Sequence, residues 1–233
     1  MAQTYPYSRE IAISEEAAFF RRVYNWMVAG LALTGGVAWF TAASPTMLGL
    51  IFGNPLVFYV LIGAELIMVW VLAARVGRMA ASTATTMFLI YSILNGLTMS
   101  AIFLAYARTT IASAFLVSAG TFAAMSVYGF VTKRSLQSWG GFLTMGLIGI
   151  IIASVVNIFV HSQMMDWLIT YVGVLVFVGL TAYDTQKLRV IHAGGFESED
   201  VETKAAVMGA LALYLDFINL FLMILRIMGG RRN

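Results

Sequence analysis

The chain contains no cysteine, which excludes disulfide bonds and thiolate metal sites. It has only two histidines, His161 and His192, and neither lies in an HExxH-type pattern, so the sequence does not indicate a zinc enzyme. Charge is also scarce: charged residues make up 11% of the 233 residues, against about 25% in a soluble domain. Because this shortage runs along the whole chain, the composition predicts a polytopic membrane protein.

Several signals of other protein classes are missing too. The chain has no GxxxxGK[ST] motif and no long polar segment that would hold a nucleotide, so an ATP-driven pump is not favoured. We predict no tightly bound cofactor and no nucleic-acid partner. Residues 1–22 are polar and mixed in charge, unlike a cleavable signal peptide, and we interpret them as a cytoplasmic N-terminal tail. Ser14, followed by two glutamates, is predicted to cap a helix that continues into the first span.

Long apolar runs dominate the rest of the sequence. A helix needs about 20 apolar residues to cross a bilayer. The sequence therefore predicts an all-α fold in which residues 23–233 form a single seven-segment transmembrane domain. Residues 44–54, with an apolar centre, are predicted to lie in the membrane interface or to fold back on the bundle. The predicted segments are 23–43, 55–74, 84–106, 111–131, 141–160, 166–186 and 205–228.

The basic residues predict the orientation of these segments. Ten of them fall on one side, which the positive-inside rule makes cytoplasmic, and Arg108 alone falls in the opposite loops. The N-terminus is therefore predicted to be cytoplasmic. The ten residues are Arg9, Arg21, Arg22, Arg75, Arg78, Lys133, Arg134, Lys187, Arg189 and Lys204.

The last segment departs from this pattern. Arg226, Arg231 and Arg232 follow it, and seven full crossings would place them outside. A re-entrant or deeply buried seventh segment would leave them inside, and both alternatives stay open. Because this segment also carries polar residues, we predict that it is central and enclosed by the other six.

Two aspartates lie inside these apolar segments: Asp184 in GLTAYDTQ and Asp216 in LYLDFINLF. A carboxylate at the centre of a spanning helix costs roughly 2.5–3.5 kcal/mol, so such residues usually face a bundle interior or a water-filled path. Two carboxylates in one site of low dielectric constant do not both ionise readily, so together they hold a proton and act as a pH sensor. When deprotonated, the pair attracts a hard cation. A purely structural role for both acids is the alternative.

Other polar residues extend this site. Glu65 on the second segment and Asn219, which shares a helix face with Asp216, are predicted to line an ion path. Calcium takes six to eight oxygen ligands, so Glu65 would join the two aspartates as a tentative ligand together with carbonyl groups and water. Arg75 is a candidate latch that neutralises Asp184. Asn95 and Asn157 are interpreted as residues that form hydrogen bonds between helices.

The motifs GLTAYDTQK (179–187) and ALYLDFINLFLMILRI (212–227) resemble the bacterial branch of the Bax inhibitor-1 family, also called transmembrane BAX inhibitor motif proteins. The resemblance implies a bacterial inner-membrane protein with an enclosed seventh segment. It also implies a pH-sensitive calcium leak in which Asp184 and Asp216 are sensor and gate, Glu65 lies on the calcium route, and an arginine of the second segment is the latch. Arg75 is our candidate for that latch and Arg78 the alternative. The implied partners are membrane lipids and calcium ions.

Two other functions compete with the leak. One is an interaction protein that modulates a membrane protease or a stress or cell-death response. The other, a remote alternative, is an intramembrane aspartyl protease, since Tyr183 and Asp184 form a YD pair and a second aspartate follows on the next segment. However, Leu213, Tyr214 and Leu215 precede that aspartate where such enzymes have glycines, and no Pro-Ala-Leu segment follows. We therefore predict that the protein is not an enzyme.

Overall fold

The computed structural model describes the backbone of residues 6–229 and the side chains of residues 13–229. Within this part of the chain the structure is entirely helical, with nine α-helices and one 3₁₀ turn and no strand. The α-helices are α1 (Pro6–Ala43), α2 (Pro45–Phe52), α3 (Pro55–Arg75), α4 (Ala81–Met99), α5 (Ala101–Ala105), α6 (Arg108–Val131), α7 (Gln137–Val160), α8 (Gln163–Ala193) and α9 (Glu199–Met228). The 3₁₀ turn is Val76–Arg78.

Seven helical stretches among the described residues are long and apolar enough to cross a membrane, which confirms the all-α class and the seven predicted segments. They extend beyond the predicted limits at most ends because helices continue into their polar flanks. The stretches are Ile13–Ala43, Pro55–Arg78, Ala81–Ala105, Arg108–Val131, Gln137–Val160, Gln163–Ala193 and Glu199–Met228.

The start of α1 differs from the prediction. The helix begins at Pro6, so Ser14 lies inside it and the predicted cap at that position is wrong. A proline fits the first turn because its missing N–H has no intrahelical partner there, and the following residues are mostly compatible with a helix. Most of the predicted tail, from residue 6 to residue 22, is thus continuous with the first span, while residues 1–5 lie outside the described residues.

Residues 44–54, which are predicted to lie in the membrane interface or to fold back on the bundle, largely form the short helix α2, and their place relative to the membrane stays a prediction. Ser44 caps it, accepting a hydrogen bond from the N–H of Met47 at 3.4 Å, and Asn54 caps α3 by accepting one from the N–H of Leu56 at 3.0 Å. Each cap precedes a proline, which starts the next helix and ends the previous one.

The third predicted span is interrupted at Ser100. Its hydroxyl donates to the carbonyl oxygen of Leu97 at 2.6 Å, and its N–H reaches the carbonyl oxygens of Gly96 and Leu97. A serine side chain that bonds nearby backbone in this way competes with regular helix geometry. The predicted segment 84–106 is therefore two helices, α4 and α5.

The chain divides into two compact units. Unit 1 comprises residues 1–104 and 189–214, and unit 2 comprises residues 105–188 and 215–233. In unit 1, α1 and α3 both pack on α4. Gly96 permits the first of these contacts, since a Cβ there would lie 2.7 Å from Cβ of Val37 and 2.8 Å from the carbonyl oxygen of Thr34. The predicted domain boundary between residues 22 and 23 stays a prediction.

Helix α9 is the most buried of the seven spans. In an apolar stretch of 18 residues of α9, 72% is buried inside the structure, against 6–39% for the corresponding stretches of the other six spans. This burial agrees with a protected last segment, whereas its enclosure by all six other spans stays a prediction. Arg226 is exposed near the end of α9, and Arg231 and Arg232 lie outside the described residues, so the position of the C-terminus also stays a prediction.

Candidate functional site

The structure brings Asp184 and Asp216 together in unit 2. Asp184 lies on α8 and Asp216 on α9, and their carboxyl groups are within hydrogen-bonding reach of each other. Asp216 is only 4% exposed, whereas Asp184 is half-buried. The pair predicted from sequence is thus a physical contact, with one member more accessible than the other.

Glycines fix the position of α8 around Asp184. A Cβ on Gly140 of α7 would lie 2.6 Å from the phenol oxygen of Tyr183, and a Cβ on Gly179 would lie 2.6 Å from a methyl group of Leu143. A Cβ on Gly129 of α6 would overlap the carbonyl oxygen of Ala182. Small residues let helices in membranes approach this closely. Two groups just before Asp184 therefore pack directly against glycines: the side chain of Tyr183 and the backbone of Ala182.

Aromatic packing fixes α9 at the position after Asp216. The ring of Phe217 meets Phe115 and Phe122 of α6 edge-on, with centroid distances of 5.4 Å and 5.6 Å. Phe217 is only 3% exposed. Such edge-on ring pairs add to the stabilisation from burial alone. The aspartate beside this cluster is consequently held in an apolar environment.

The pair of Asp184 and Asp216 has few hydrogen-bond donors. Oδ2 of Asp216 is buried and accepts no hydrogen bond from any donor among the described residues. Ionised carboxylates only accept hydrogen bonds, so two of them bond to each other only when a proton lies between them. Lys187, three residues after Asp184 on α8 and exposed, acts electrostatically on that aspartate. The arrangement suits reversible binding of one proton or of a cation.

A second polar cluster lies in unit 1 around Glu65 of α3. Its two carboxyl oxygens accept hydrogen bonds from the Asn95 amide nitrogen at 3.1 Å and the Thr98 hydroxyl at 2.8 Å. The phenol of Tyr214 on α9 donates to Oδ1 of Asn95 at 3.0 Å and lies 2.6 Å from the hydroxyl of Thr34 on α1. Asn95 therefore joins α3, α4 and α9, which confirms its predicted role between helices.

The other predicted polar residues are placed separately. Asn219 donates to the carbonyl oxygen of Leu215 in its own helix at 2.8 Å. The Asn157 amide donates to Asp166 at 2.7 Å and so connects α7 with α8, as predicted. Neither Arg75 nor Arg78 forms an ion pair within residues 13–229. The latch role therefore stays a prediction.

The predicted calcium ligands do not form one cluster. Among residues 13–229, no group of three or more acidic, histidine or cysteine side chains is arranged to hold a metal ion. Asp184 and Asp216 belong to unit 2, and Glu65 belongs to unit 1. The pair would need backbone carbonyls and water to complete a calcium shell of six to eight oxygens, and calcium binding stays a prediction.

Comparison with known proteins bears on this pair of aspartates. A family model described as "Inhibitor of apoptosis-promoting Bax1" matches residues 16–233, a range that contains both acids and Glu65. The chain belongs to the Bax inhibitor-1 family. The family assignment confirms the resemblance seen in the two aspartate motifs, and with the seven apolar helices it makes the chain a membrane protein of this family.

Individual relatives span nearly the full length of the chain. The inner membrane protein YbhL of Escherichia coli strain K12 is 49% identical over 216 residues, which cover 92% of each chain. An uncharacterized protein of Deinococcus radiodurans is 43% identical over 224 residues, covering 96% of this chain and 95% of the relative. A third, from Borreliella burgdorferi, is 40% identical over 225 residues, covering 97% and 96%.

Within this Bax inhibitor-1 chain, sequence reasoning missed several residues of both clusters. Tyr214 and Thr34 appeared to be ordinary members of apolar spans, and Thr98 carried no motif. The sequence indicates Lys187 only as a basic residue on the cytoplasmic side, although it follows Asp184 by about one helical turn. The i, i+3 spacing of Asn95 and Thr98 was the available signal, because it places both on one face of α4.

Proposed function

We propose that this Bax inhibitor-1 chain is a passive calcium leak whose gate and proton sensor is the pair of Asp184 and Asp216. The observation that carries the proposal is the contact between the two carboxyl groups, together with Oδ2 of Asp216, which is buried and has no hydrogen-bond partner among the described residues. A contact of this kind is favourable when the pair holds one proton. It becomes unfavourable when both carboxyl groups are ionised.

The sign of the pH response follows from this contact. At low pH the shared proton bridges the two carboxyl groups, which keeps α8 and α9 joined at this point and leaves little charge to attract a cation. At higher pH the proton leaves, and two adjacent negative charges repel each other. A calcium ion or a separation of the two side chains relieves that repulsion. We therefore expect flux to rise with pH and protons to compete with calcium.

The unequal exposure of the pair sets the expected roles of its members. Asp184 is half-buried and lies near the exposed Lys187, so we assign proton exchange with solvent to Asp184. Asp216 is almost completely buried, so we assign to it the function of holding the bridging proton. Glu65 and Asn219 would contribute oxygen atoms elsewhere along the path, and Arg75 remains our candidate latch.

The membrane setting is part of the proposal. The relative from Escherichia coli is named an inner membrane protein, and the seven apolar helices suit a multi-pass protein of the same membrane. The clustering of basic residues in alternate connections supports a cytoplasmic N-terminus. Lipids and calcium ions are then the partners that this function requires.

The decisive experiment measures calcium flux in liposomes that contain the purified protein, over a range of pH. We expect wild-type flux to rise with pH. The variants Asp184→Asn and Asp216→Asn should each lower flux about tenfold or more and remove its pH dependence. In each variant the site keeps only one carboxyl group, so it cannot carry two negative charges. Asp200→Asn is the matched control, since Asp200 is an exposed acid outside the pair. Absence of flux in the wild type, or unchanged pH dependence in both variants, would contradict the proposal.

A further inference from the structure

Helices α1 and α4 of unit 1 lie side by side and run in the same direction. Three contacts define their register, each between residues 58 or 59 positions apart: Gly30 with Phe88, Thr34 with Ser92, and Val37 with Gly96. A constant separation in sequence means that both helices advance together, so the position of the next contact follows. The same register places Thr41 against Met99 and Ser100. Thr41 and Ser100 are fully buried, and Met99 is 8% exposed.

Thr34 and Thr41 occupy equivalent positions on α1 but differ in their hydrogen bonds. The Thr34 hydroxyl donates across the interface to the carbonyl oxygen of Ser92 at 2.9 Å. Thr41 comes about two helical turns after Thr34, and Met99 comes the same distance after Ser92. The Thr41 hydroxyl nevertheless has no hydrogen-bond partner within residues 13–229. Most buried polar groups in native structures are paired, so this exception calls for a specific reason.

The difference between the two threonines arises because α4 ends where the next contact would form. In a continuous helix the N–H of Phe103 would donate to the carbonyl oxygen of Met99. Here it donates instead to the carbonyl oxygen of Ser100 at 3.1 Å. The N–H and the hydroxyl of Ser100 reach back to carbonyl oxygens of Gly96 and Leu97. The carbonyl group of Met99 thus loses its regular helical donor, beside a threonine that has no partner.

The buried end of α4 also carries negative partial charge. The last carbonyl groups of a helix point along its axis, which gives the C-terminus of a helix a partial negative charge. The last turn of α4 contains no basic residue that would balance this charge. Ser100 lies five residues before the end of the apolar stretch Ala81–Ala105, so this helix end lies inside the span. Discontinuous helices of membrane transporters coordinate cations with carbonyl ends of this kind.

We propose that the break in α4 is a binding site for one monovalent cation, Na⁺ or K⁺, which the hydroxyl oxygen of Thr41 and the carbonyl oxygen of Met99 coordinate. Uncharged oxygen ligands suit a singly charged ion, whereas calcium sites in proteins include carboxylates. Carbonyl oxygens of neighbouring residues and water complete the shell of the ion. The bound cation joins the end of α4 to α1 and balances the partial charge of the helix end.

The test measures binding of ²²Na⁺ and of ⁸⁶Rb⁺, the latter as a probe for K⁺, to purified full-length protein, with choline chloride keeping the ionic strength constant. We expect saturable binding of one of the two ions. Thr41→Val keeps the size of the side chain and removes the hydroxyl, so affinity should fall about tenfold or more. Thr41→Ser keeps a hydroxyl and should bind like the wild type. Thr86→Val, at an exposed threonine of α4, is the matched control and should also bind like the wild type.

Thermal unfolding separates a cation site from a merely structural role of Thr41. The unfolding midpoint of the wild type should rise when the chloride of the preferred ion replaces choline chloride, because a ligand of the folded state stabilises it. Thr41→Val should lose this rise. Its midpoint in choline chloride should equal or exceed that of the wild type, since a buried hydroxyl without a partner has been removed. A structural hydrogen bond of Thr41 would instead lower the midpoint of the variant in both salts.

Ser100→Ala tests the break itself. The variant removes the hydroxyl that bonds to Leu97 at 2.6 Å, and alanine favours a continuous helix. The Phe103 N–H then returns to the carbonyl oxygen of Met99, so binding should weaken as it does in Thr41→Val. Unchanged binding in Ser100→Ala would overturn the proposal, because the break would then not create the site.

Three further results would overturn the proposal. They are the absence of saturable binding of both ions, equal binding by the wild type and Thr41→Val, and binding of ⁴⁵Ca²⁺ that requires Thr41 without binding of ²²Na⁺ or ⁸⁶Rb⁺. Size-exclusion and circular dichroism profiles that match the wild type show that each variant is folded.

This cation site shares no residue with the aspartate pair, and its test does not involve calcium flux. If the wild type shows no flux but binds the monovalent ion through Thr41, the proposed leak fails and the cation site stands. If flux responds to the aspartates but no monovalent ion binds, the leak stands and the cation site fails.

Discussion

Gly129 of α6 lies directly against the backbone of Ala182 on α8. A Cβ at Gly129 would overlap the carbonyl oxygen of Ala182 and lie 3.0 Å from its carbonyl carbon and its Cα. Backbone atoms inside a helix cannot move aside as the end of a flexible side chain can. This contact therefore fixes the distance between α6 and α8 two residues before Asp184.

The first prediction concerns this contact. Gly129→Ala should lower the free energy of unfolding in detergent micelles by about 1–3 kcal/mol, because overpacking forces the helices apart. Gly120→Ala on the same helix is the matched control, since a Cβ there meets nothing within 4 Å. The control should be neutral or slightly stabilising, as alanine favours helix more than glycine does. Equal thermal stability of the two variants would show that the helices do not approach closely at Gly129.

The second prediction concerns the aromatic cluster beside Asp216. Phe217→Ala removes a ring that is 3% exposed and touches Phe115 and Phe122, so it should cost about 3–5 kcal/mol of unfolding free energy. Phe217→Leu, which keeps most of the volume, should cost less. Phe142→Ala is the control, because that side chain is 64% exposed, and it should have little effect. Chemical denaturation measures all three, and a similar loss in Phe142→Ala would contradict the assignment.

The third prediction concerns Gln186, which ties the connection between α6 and α7 to α8. Its side-chain oxygen accepts from the N–H of Leu136 at 2.7 Å, and its amide nitrogen donates to the carbonyl oxygen of Arg134 at 2.9 Å. Each such hydrogen bond contributes about 0.5–1.5 kcal/mol net. Gln186→Leu should therefore raise hydrogen exchange at the Leu136 amide by about tenfold, since about 1.4 kcal/mol corresponds to a factor of ten.

Two further variants sharpen the test at Gln186. Gln186→Glu keeps an oxygen acceptor, so protection of the Leu136 amide should largely persist while the bond to Arg134 is lost. Gln163→Leu, at the exposed start of the same helix, should leave exchange at Leu136 unchanged. If Gln186→Leu also leaves it unchanged, this side chain does not hold the connection in place.

Sequence periodicity and charge predicted much of this fold because the bilayer imposes strong constraints. Every backbone group must be satisfied inside a span, so long apolar runs with few charges can only be helices in a membrane protein of this kind. The two aspartates stood out for the same reason, since an acid in such a run is costly. The predicted cap at Ser14 was wrong because local capping preference is weak compared with continuation of a long helix.

The interruption at Ser100 illustrates a different limit. Its hydroxyl bonds to Leu97 and breaks the span into α4 and α5. Serine occurs both inside helices and at their ends, so the residue type alone does not predict a break. The hydrogen bonds of Tyr214 and Thr34 could likewise not be predicted from the sequence. Their partners are about 120 and 180 residues away along the chain, and only folding brings them together.

The sequence by itself determined the class of the protein and the number of apolar segments. It also identified the two acids whose position in apolar segments costs enough free energy to indicate a specific role. These follow from composition and from spacing along one helix, which are local properties. Only the tertiary structure decided that Asp184 and Asp216 touch, that Glu65 instead belongs to the cluster of Asn95 and Tyr214, and that α9 is the most buried span. Contacts between helices depend on glycines and ring shapes that fit one particular partner, and a sequence pattern does not say which partner that is.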